Sequence, residues 1–357
     1  MYLKKIYIIP FCLLLACNHV IISPDEPLVV VATDFIKAVD ISSLPEIESL
    51  GTIFYNEAGK PEDMLTTLKQ AGCNTIRLRL WKNPITAHAG FEEVNAFVQR
   101  IKAKQMKVWL TVHYSDTWAD PAHQTIPKVW ENLSLPILKD SVYQYTQKIV
   151  TAMKPDIIQI GNEINSGLLL QMGSISQEDD FKSLLRSGIK AVRDHSPNSK
   201  IMLHYAGIAS GANWFYDKVI TLDYDYIGVS YYPLWHGKDL TELGRTLTDL
   251  NLTYKKEVLI AETSYAFTLG WNDYTNNIVG SDNQLLLAYP ATPTGQKEYL
   301  AQIKKIAQAS KAKGFCYWGA EWVAFKGNQS QEGSSWENQA FYDFQNKALP
   351  VFKVFNE

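Results

Sequence analysis

The stretch "TIRLRLWKNPITAHAGFEEVNAFVQRIKAKQMKVWLTVHY", residues 75–114, holds a candidate strand, an amphipathic helix and a second strand in that order. Its ends, "TIRLRLW" (75–81) and "KVWLTVHY" (107–114), are short runs rich in β-branched, leucine and aromatic residues. Between them "FEEVNAFVQRIKAKQ" (91–105) mixes apolar and charged positions at a helical period. Two strands joined by a crossover helix run parallel, so the stretch is one βαβ unit.

The alternation continues on both sides. Further candidate strands are "FIKAVDIS" (35–42), "IIQIGNE" (157–163), "KIMLHYA" (200–206), "YIGVSYYP" (226–233), "EVLIAETSY" (257–265) and "GFCYWGA" (314–320). Helical patterns lie between them at 61–72, 134–153 and 294–314. Eight such units with near-continuous apolar strands describe an α/β fold, a single (β/α)8 TIM barrel over residues 35–357. The competing open doubly wound sheet lacks its Gly-rich nucleotide fingerprint here. No Pro- or Ser-rich linker divides the chain after residue 35.

Composition narrows the function classes. A chain of 357 residues with net charge -3 and 46% apolar content can bury a large core and lacks the basic footprint of a nucleic-acid binder. Neither a phosphate loop nor metal-ligand spacing of His or Cys occurs, so no metal and no cofactor are expected. Ten Trp and 19 Tyr, many beside strand ends, suit stacking on sugar rings. The first residues, "MYLKKIYIIPFCLLLACNHV", have a basic start and an apolar run too short to span a membrane. "LLAC" is similar to a bacterial lipobox, which makes 1–17 a lipoprotein signal peptide with lipid attachment at Cys17, and 18–34 a tether. Cys73 and Cys316 then remain in the folded part, both in apolar surroundings that favour buried free thiols.

In a barrel of this kind functional side chains gather at the C-terminal ends of the strands. Asp40, Arg77, Arg79, His113, Asp116, Asn162, Glu163, Tyr231, Tyr232, Glu262 and Trp318 all fall at or near such ends. Trp81, closing the second strand, is a further candidate sugar contact together with Asp116. Glu163 and Glu262 end the fourth and seventh strands, roughly across the barrel mouth. Two carboxyl groups flanking a cleft are the apparatus of glycoside hydrolysis, retaining when about 5–5.5 Å apart. Side chains alternate along a strand, so Arg77 and Arg79 share a face, and only one of Tyr231 and Tyr232 can turn inward.

"GNEINSG" (161–167), "NTIRLRLWKNP" (74–84), "VHYSDTWADP" (112–121), "SYYPLWHG" (230–237) and "ETSYAF" (262–267) together resemble the endo-β-1,4-galactanases of glycoside hydrolase family 53. The resemblance runs over essentially the whole chain from about residue 35. It implies Glu163 as general acid/base and Glu262 as nucleophile. It also implies Asn162 on the sugar 2-hydroxyl, Tyr232 and Arg77 on the nucleophile, His113 in the glycone subsite and Trp318 as the floor under the sugar. Two departures stand out. "YWGAEW" (317–322) replaces the family's usual "YWEPAW", and the loop after the seventh strand has no acidic ligand ladder, so calcium is not expected. No subsite is assigned to Trp118, Trp235, Trp271 or Trp322.

The activity implied is retaining, endo-acting cleavage of β-1,4-galactosidic bonds in galactan and the type I arabinogalactan side chains of pectin. The alternatives are a relative acting on another β-glycan, such as mannan or xylan, and a surface glycan-binding protein on an inactive barrel. The expected partners are the polysaccharide and, through the lipid anchor, a membrane of the bacterial cell envelope. No nucleic acid is expected, and the protein should be a monomer.

Overall fold

Eight parallel strands pair in sequence order and close on themselves: β1 (Ile36–Asp40), β2 (Thr75–Leu80), β3 (Lys107–Val112), β4 (Ile157–Ile160), β5 (Lys200–Ala206), β6 (Tyr226–Ser230), β7 (Glu257–Thr263) and β8 (Gly314–Trp318). The computed structural model describes residues 35–357. The signal peptide 1–17 with Cys17 and the tether 18–34 lie outside the described residues. Each strand falls inside the segment expected for it, and the (β/α)8 barrel is the observed fold.

The helices follow the strands: α1 (Leu44–Ser49), α2 (Met64–Gln70), α3 (Phe91–Ala103), α4 (Leu135–Met153), α5 (Glu178–His195), α6 (Ser210–Val219), α7 (Pro233–His236), α8 (Leu240–Tyr254) and α9 (Pro293–Ala309). In α3 the buried residues Val94, Phe97, Val98 and Ile101 recur every three or four positions and turn one stripe toward the strands. Glu92 and Glu93 begin that helix and Arg100 and Lys102 end it, the charge order the helix dipole favours. Cys73 and Cys316 are buried free thiols. Among the described residues no helix is long and apolar enough to cross a membrane.

Inside the barrel, alternate residues of the strands point inward. Ile36, Ala38, Trp109, Ile157, Met202, Tyr226, Leu259, Ala261 and Cys316 form a closed apolar cluster. Further along the same inward positions the chemistry changes to Asp40, Arg77, Thr111, Gln159, His204, Ser230 and Trp318. The barrel is thus plugged with apolar side chains at one end and polar at the other.

One strand breaks the alternation. Leu259 and Ala261 share the inward parity of β7, which would send Glu262 outward. The register shifts between β7 and both of its neighbours, however: Val229 pairs with Ile260 but Ser230 pairs with Glu262, and the β7–β8 pairing jumps between Ile260 and Thr263. This bulge inserts an extra residue into β7 and turns the Glu262 side chain into the barrel.

Candidate active site

Beyond the end of β4 the chain turns at Gly161, whose φ of +82° belongs to the left-handed region, and a Cβ there would lie 2.5 Å from Ile164 Cγ2. Glu163 itself has φ +46°, uncommon for a residue with a side chain. Neighbours hold this bend. Gln124 Nε2 donates to the carbonyls of Asn162 (2.7 Å) and Glu163 (3.3 Å), and the Glu163 backbone N–H points at His204 Nδ1 (3.3 Å). The Ser230 hydroxyl donates to Glu163 Oε1 at 2.6 Å.

Glu262 is held from two sides. Arg77 donates from one terminal nitrogen to Glu262 Oε1 (2.7 Å) and from the other to Asp40 Oδ2 (2.9 Å), and the Tyr232 hydroxyl donates to Glu262 Oε2 (2.9 Å). The same Arg77 nitrogen donates to Asn162 Oδ1 (2.9 Å), while Asn162 Nδ2 reaches the Ala119 carbonyl (2.8 Å). Arg77 therefore ties Glu262 to the end of β4. Carboxyl oxygens of Glu163 and Glu262 lie within 4.8 Å of each other and of a ring nitrogen of His204. A metal ion would find no free imidazole there, because Gln159 and Ser230 already engage both nitrogens of His204.

Burial, and then the negative charge of Glu262, pushes the Glu163 carboxyl up from 4.5 to about 8. Burial also raises Glu262, opposed by the Arg77 charge and by the Tyr232 hydrogen bond. Arg77 and Tyr232 both hydrogen-bond Glu262, whereas Glu163 has the Ser230 hydrogen bond and only the more remote charge of Arg77, so of the two carboxyls Glu163 holds a proton more readily. His113 accepts the Ala119 N–H at Nδ1 (3.0 Å), and its basicity is held well below the ordinary histidine value by burial and by Arg79 and Arg77.

These groups open into a cavity of about 550 Å³ walled by Trp118, Trp235, Trp318, Trp322 and Trp336. Trp318 packs edge-on against Trp336 (4.7 Å between centroids) and Trp322 (5.3 Å). Room for Trp336 comes from Gly319, with φ +77°, where a Cβ would meet the Trp336 ring at 2.8 Å. That close approach gives the departing "YWGAEW" string a steric reason at its glycine.

Of the sequence candidates, Glu163, Glu262, Asn162, His113, Arg77, Tyr232 and Trp318 all line this cavity. Arg79 lines it as well, its guanidinium between the Trp81 (4.6 Å) and Trp118 (4.0 Å) rings. Trp81 and Asp116 do not line it. Trp81 lies behind Arg79, and Asp116 spends an oxygen on the Lys128 N–H (2.9 Å) at the start of the 3-10 turn Lys128–Trp130. Tyr231 turns away to the Gly237 carbonyl, and Trp271 is an exposed side chain outside the cavity lining. Sequence reasoning missed Trp336, Asp120, His236 and the buried Gln159, His204 and Ser230. Trp336 carried a signal: it is a lone large apolar residue in the polar run "NQSQEGSSWENQ" (328–339).

Two carboxyl groups facing each other beneath tryptophan walls, at the C-terminal mouth of a parallel barrel, define a glycosidase. Residues 36–355 match the family model described as Glycosyl hydrolase family 53. The chain belongs to that family. It is 34% identical over 343 residues to the arabinogalactan endo-β-1,4-galactanase of Cellvibrio japonicus, covering 90% of this chain and 91% of the relative. It is 33% identical over 375 residues to the endo-β-1,4-galactanase of Bacillus subtilis, covering 90% and 85%. Among solved structures, the GH53 catalytic domain of Ignisphaera aggregans superimposes with a TM-score of 0.86 at 38% identity, covering 92% of this chain and 98% of that one.

Proposed function

We propose that this glycosidase is a retaining endo-β-1,4-galactanase acting on galactan and on the type I arabinogalactan side chains of pectin, with Glu163 as acid/base and Glu262 as nucleophile. The observation that carries the mechanism is the separation of the carboxyl groups. One oxygen of each carboxyl lies within 4.8 Å of the other, which fits the about 5–5.5 Å of retaining enzymes better than the roughly 6.5–9.5 Å at which an inverting enzyme seats a water between its carboxyls. The substrate class rests on the galactanase relatives.

The steps follow from the contacts. Glu262, kept ionised by Arg77 and Tyr232, attacks the anomeric carbon while Glu163 gives its proton to the departing glycosidic oxygen. The glycosyl ester on Glu262 is then hydrolysed by a water that Glu163, now ionised, deprotonates. Asn162 would hold the 2-hydroxyl, a contact that strengthens as the ring flattens toward the oxocarbenium ion. His113 would line the glycone subsite, and Trp318 would lie under the sugar at the cleavage point. We also propose that a lipid on Cys17 tethers a monomeric enzyme to the bacterial cell envelope, at the outer-membrane surface or the periplasmic face.

The deciding experiment is a product time course on linear β-1,4-galactan, with β-mannan and xylan as controls, for wild type and Glu262→Ala. Galacto-oligosaccharides released by wild type alone, first as the β-anomer by NMR, are the expected result. Initial α-anomer would overturn the retaining mechanism. Cleavage of mannan or xylan in place of galactan would overturn the substrate, and silence on all three would return the glycan-binding alternative.

A further inference from the structure

Behind Glu163 runs a row of buried polar side chains that point inward from successive strands: Gln159 on β4, His204 on β5 and Ser230 on β6. All three are fully buried. Their hydrogen bonds can be assigned a direction without seeing a hydrogen. Gln159 Oε1 faces Trp109 Nε1 (3.2 Å) and an Arg77 terminal nitrogen (3.4 Å), groups that can only donate, so this atom is the carbonyl oxygen. Gln159 Nε2, which donates to the Gly161 carbonyl (3.0 Å), is then the amine, and it also points at His204 Nδ1 (2.9 Å). The Glu163 backbone N–H approaches the same Nδ1. Asn162 Oδ1 also lies 3.3 Å from Nδ1, but that oxygen already accepts from Arg77 (2.9 Å) and from Gln159 Nε2 (3.1 Å). With two donors facing Nδ1 and its one acceptor neighbour already filled, Nδ1 accepts and the ring proton sits on Nε2.

The consequence passes along the row. His204 Nε2–H donates to Ser230 Oγ (2.9 Å), and the serine must spend its own hydrogen on Glu163 Oε1 (2.6 Å). Oε1 is held as an acceptor. A proton placed on it would face a hydroxyl whose hydrogen has no other acceptor among the described residues. Oε2 has no protein partner among the described residues, and Glu163 lines the cavity.

We propose that Gln159, His204 and Ser230 are positioning residues that fix which oxygen of Glu163 carries the catalytic proton: Oε2, the one free to meet the glycosidic oxygen. The proposal rests on the acid/base reading of Glu163. No proton travels along the row. In the first step the proton leaves Oε2 for the glycosidic oxygen as the C–O bond breaks and Glu262 bonds to the anomeric carbon. In the second, water gives a proton back to Oε2 as its oxygen bonds to that carbon and the Glu262 ester bond breaks. Ser230 keeps its hydrogen throughout and stabilises the carboxylate that exists between the two steps.

The charged and titratable groups around Glu163 are Arg77 on β2, His113 just after β3, Asp120 in the loop that follows, His204 on β5, Tyr232 just after β6, His236 on α7 and Glu262 on β7. Ser230→Ala replaces none of these groups and removes only the hydroxyl that links His204 Nε2 to Glu163 Oε1, so a change in its pH profile reports the loss of that link. Removing a hydrogen bond that favours the carboxylate should raise the basic limb of kcat/KM by about 1 pH unit. It should also lower kcat about 10-fold on galactan, while an aryl galactoside with a good leaving group, which needs little protonation, loses far less in its first step. Ser230→Thr, which keeps the hydroxyl, should restore both, and melting curves verify that each variant is folded. A Ser230→Ala limb that coincides with wild type overturns the proposal, as does failure of a folded Ser230→Thr to restore it. Glu163→Ala is the control for the underlying assignment. Equal losses on galactan and the activated glycoside would sink the acid/base role itself, whereas unequal losses beside an unmoved Ser230→Ala limb would sink only the row.

Discussion

Glu163 and Glu262 are the same residue type a few ångströms apart, and their surroundings give them different work. Glu262 meets a guanidinium and a phenol hydroxyl, and Glu163 meets one serine hydroxyl and the field of Glu262. The enzyme's rate should fall as pH rises through about 8, where Glu163 loses the proton it must donate. Stability should respond over the interval just below it. The folded protein holds this proton with a value of about 8, against 4.5 for an unperturbed carboxyl, so folding loses free energy as pH rises between them. Glu163→Gln should therefore raise Tm by several degrees at pH 8 relative to wild type and change it little or not at all near pH 4. Calorimetry of both proteins at the two pH values tests this, and an equal Tm difference at both would contradict it. Both carboxyls were legible in the sequence because each closes a strand. Which of them stays protonated was not legible, since that depends on neighbours contributed by β2 and β6.

Two local backbone departures aim those carboxyls, and neither can be inferred from residue alternation. A strict period of two along "EVLIAET" puts Leu259 and Ala261 inside and Glu262 outside, so only the bulge accounts for its contact with Arg77. The Gly161 bend serves Glu163 in the same way. Gly161→Ala would force a Cβ into the left-handed region against Ile164, which should cost about 1–3 kcal/mol of stability and displace Glu163 from Ser230. Denaturant unfolding beside kcat would check it, and a variant with wild-type values for both would show that the turn tolerates a side chain. The strands and the longer helices followed from the alternation of apolar runs and amphipathic stretches. The loops did not: Asp116 looked like a site acid because it follows a strand, yet it lies outside the cavity lining, with Oδ2 on the backbone N–H of Lys128.

At the scale of the whole chain, a closed parallel barrel has one end where helices begin and functional loops converge, and this explains why so much of the site could be placed from strand ends alone. What escaped was chemistry buried between strands, Gln159, His204 and Ser230, which in the sequence are single polar letters inside apolar runs. The proposed anchor also belongs to this scale. Cys17→Ala should move the enzyme from the membrane fraction to the soluble one with its specific activity intact, which fractionation followed by galactan assay would measure; a variant still in the membrane fraction would argue against lipid attachment. The cavity wall has an optical side. Five of the protein's ten tryptophans, Trp118, Trp235, Trp318, Trp322 and Trp336, stand around one opening, contributed by the loop after β3, by α7, and by the end of β8 and the loop beyond it. The chain's own ultraviolet emission is therefore concentrated where a saccharide would displace water from indole rings. A hydrolytically silent variant such as Glu262→Ala thus carries an internal fluorophore array for following oligosaccharide occupancy without any label.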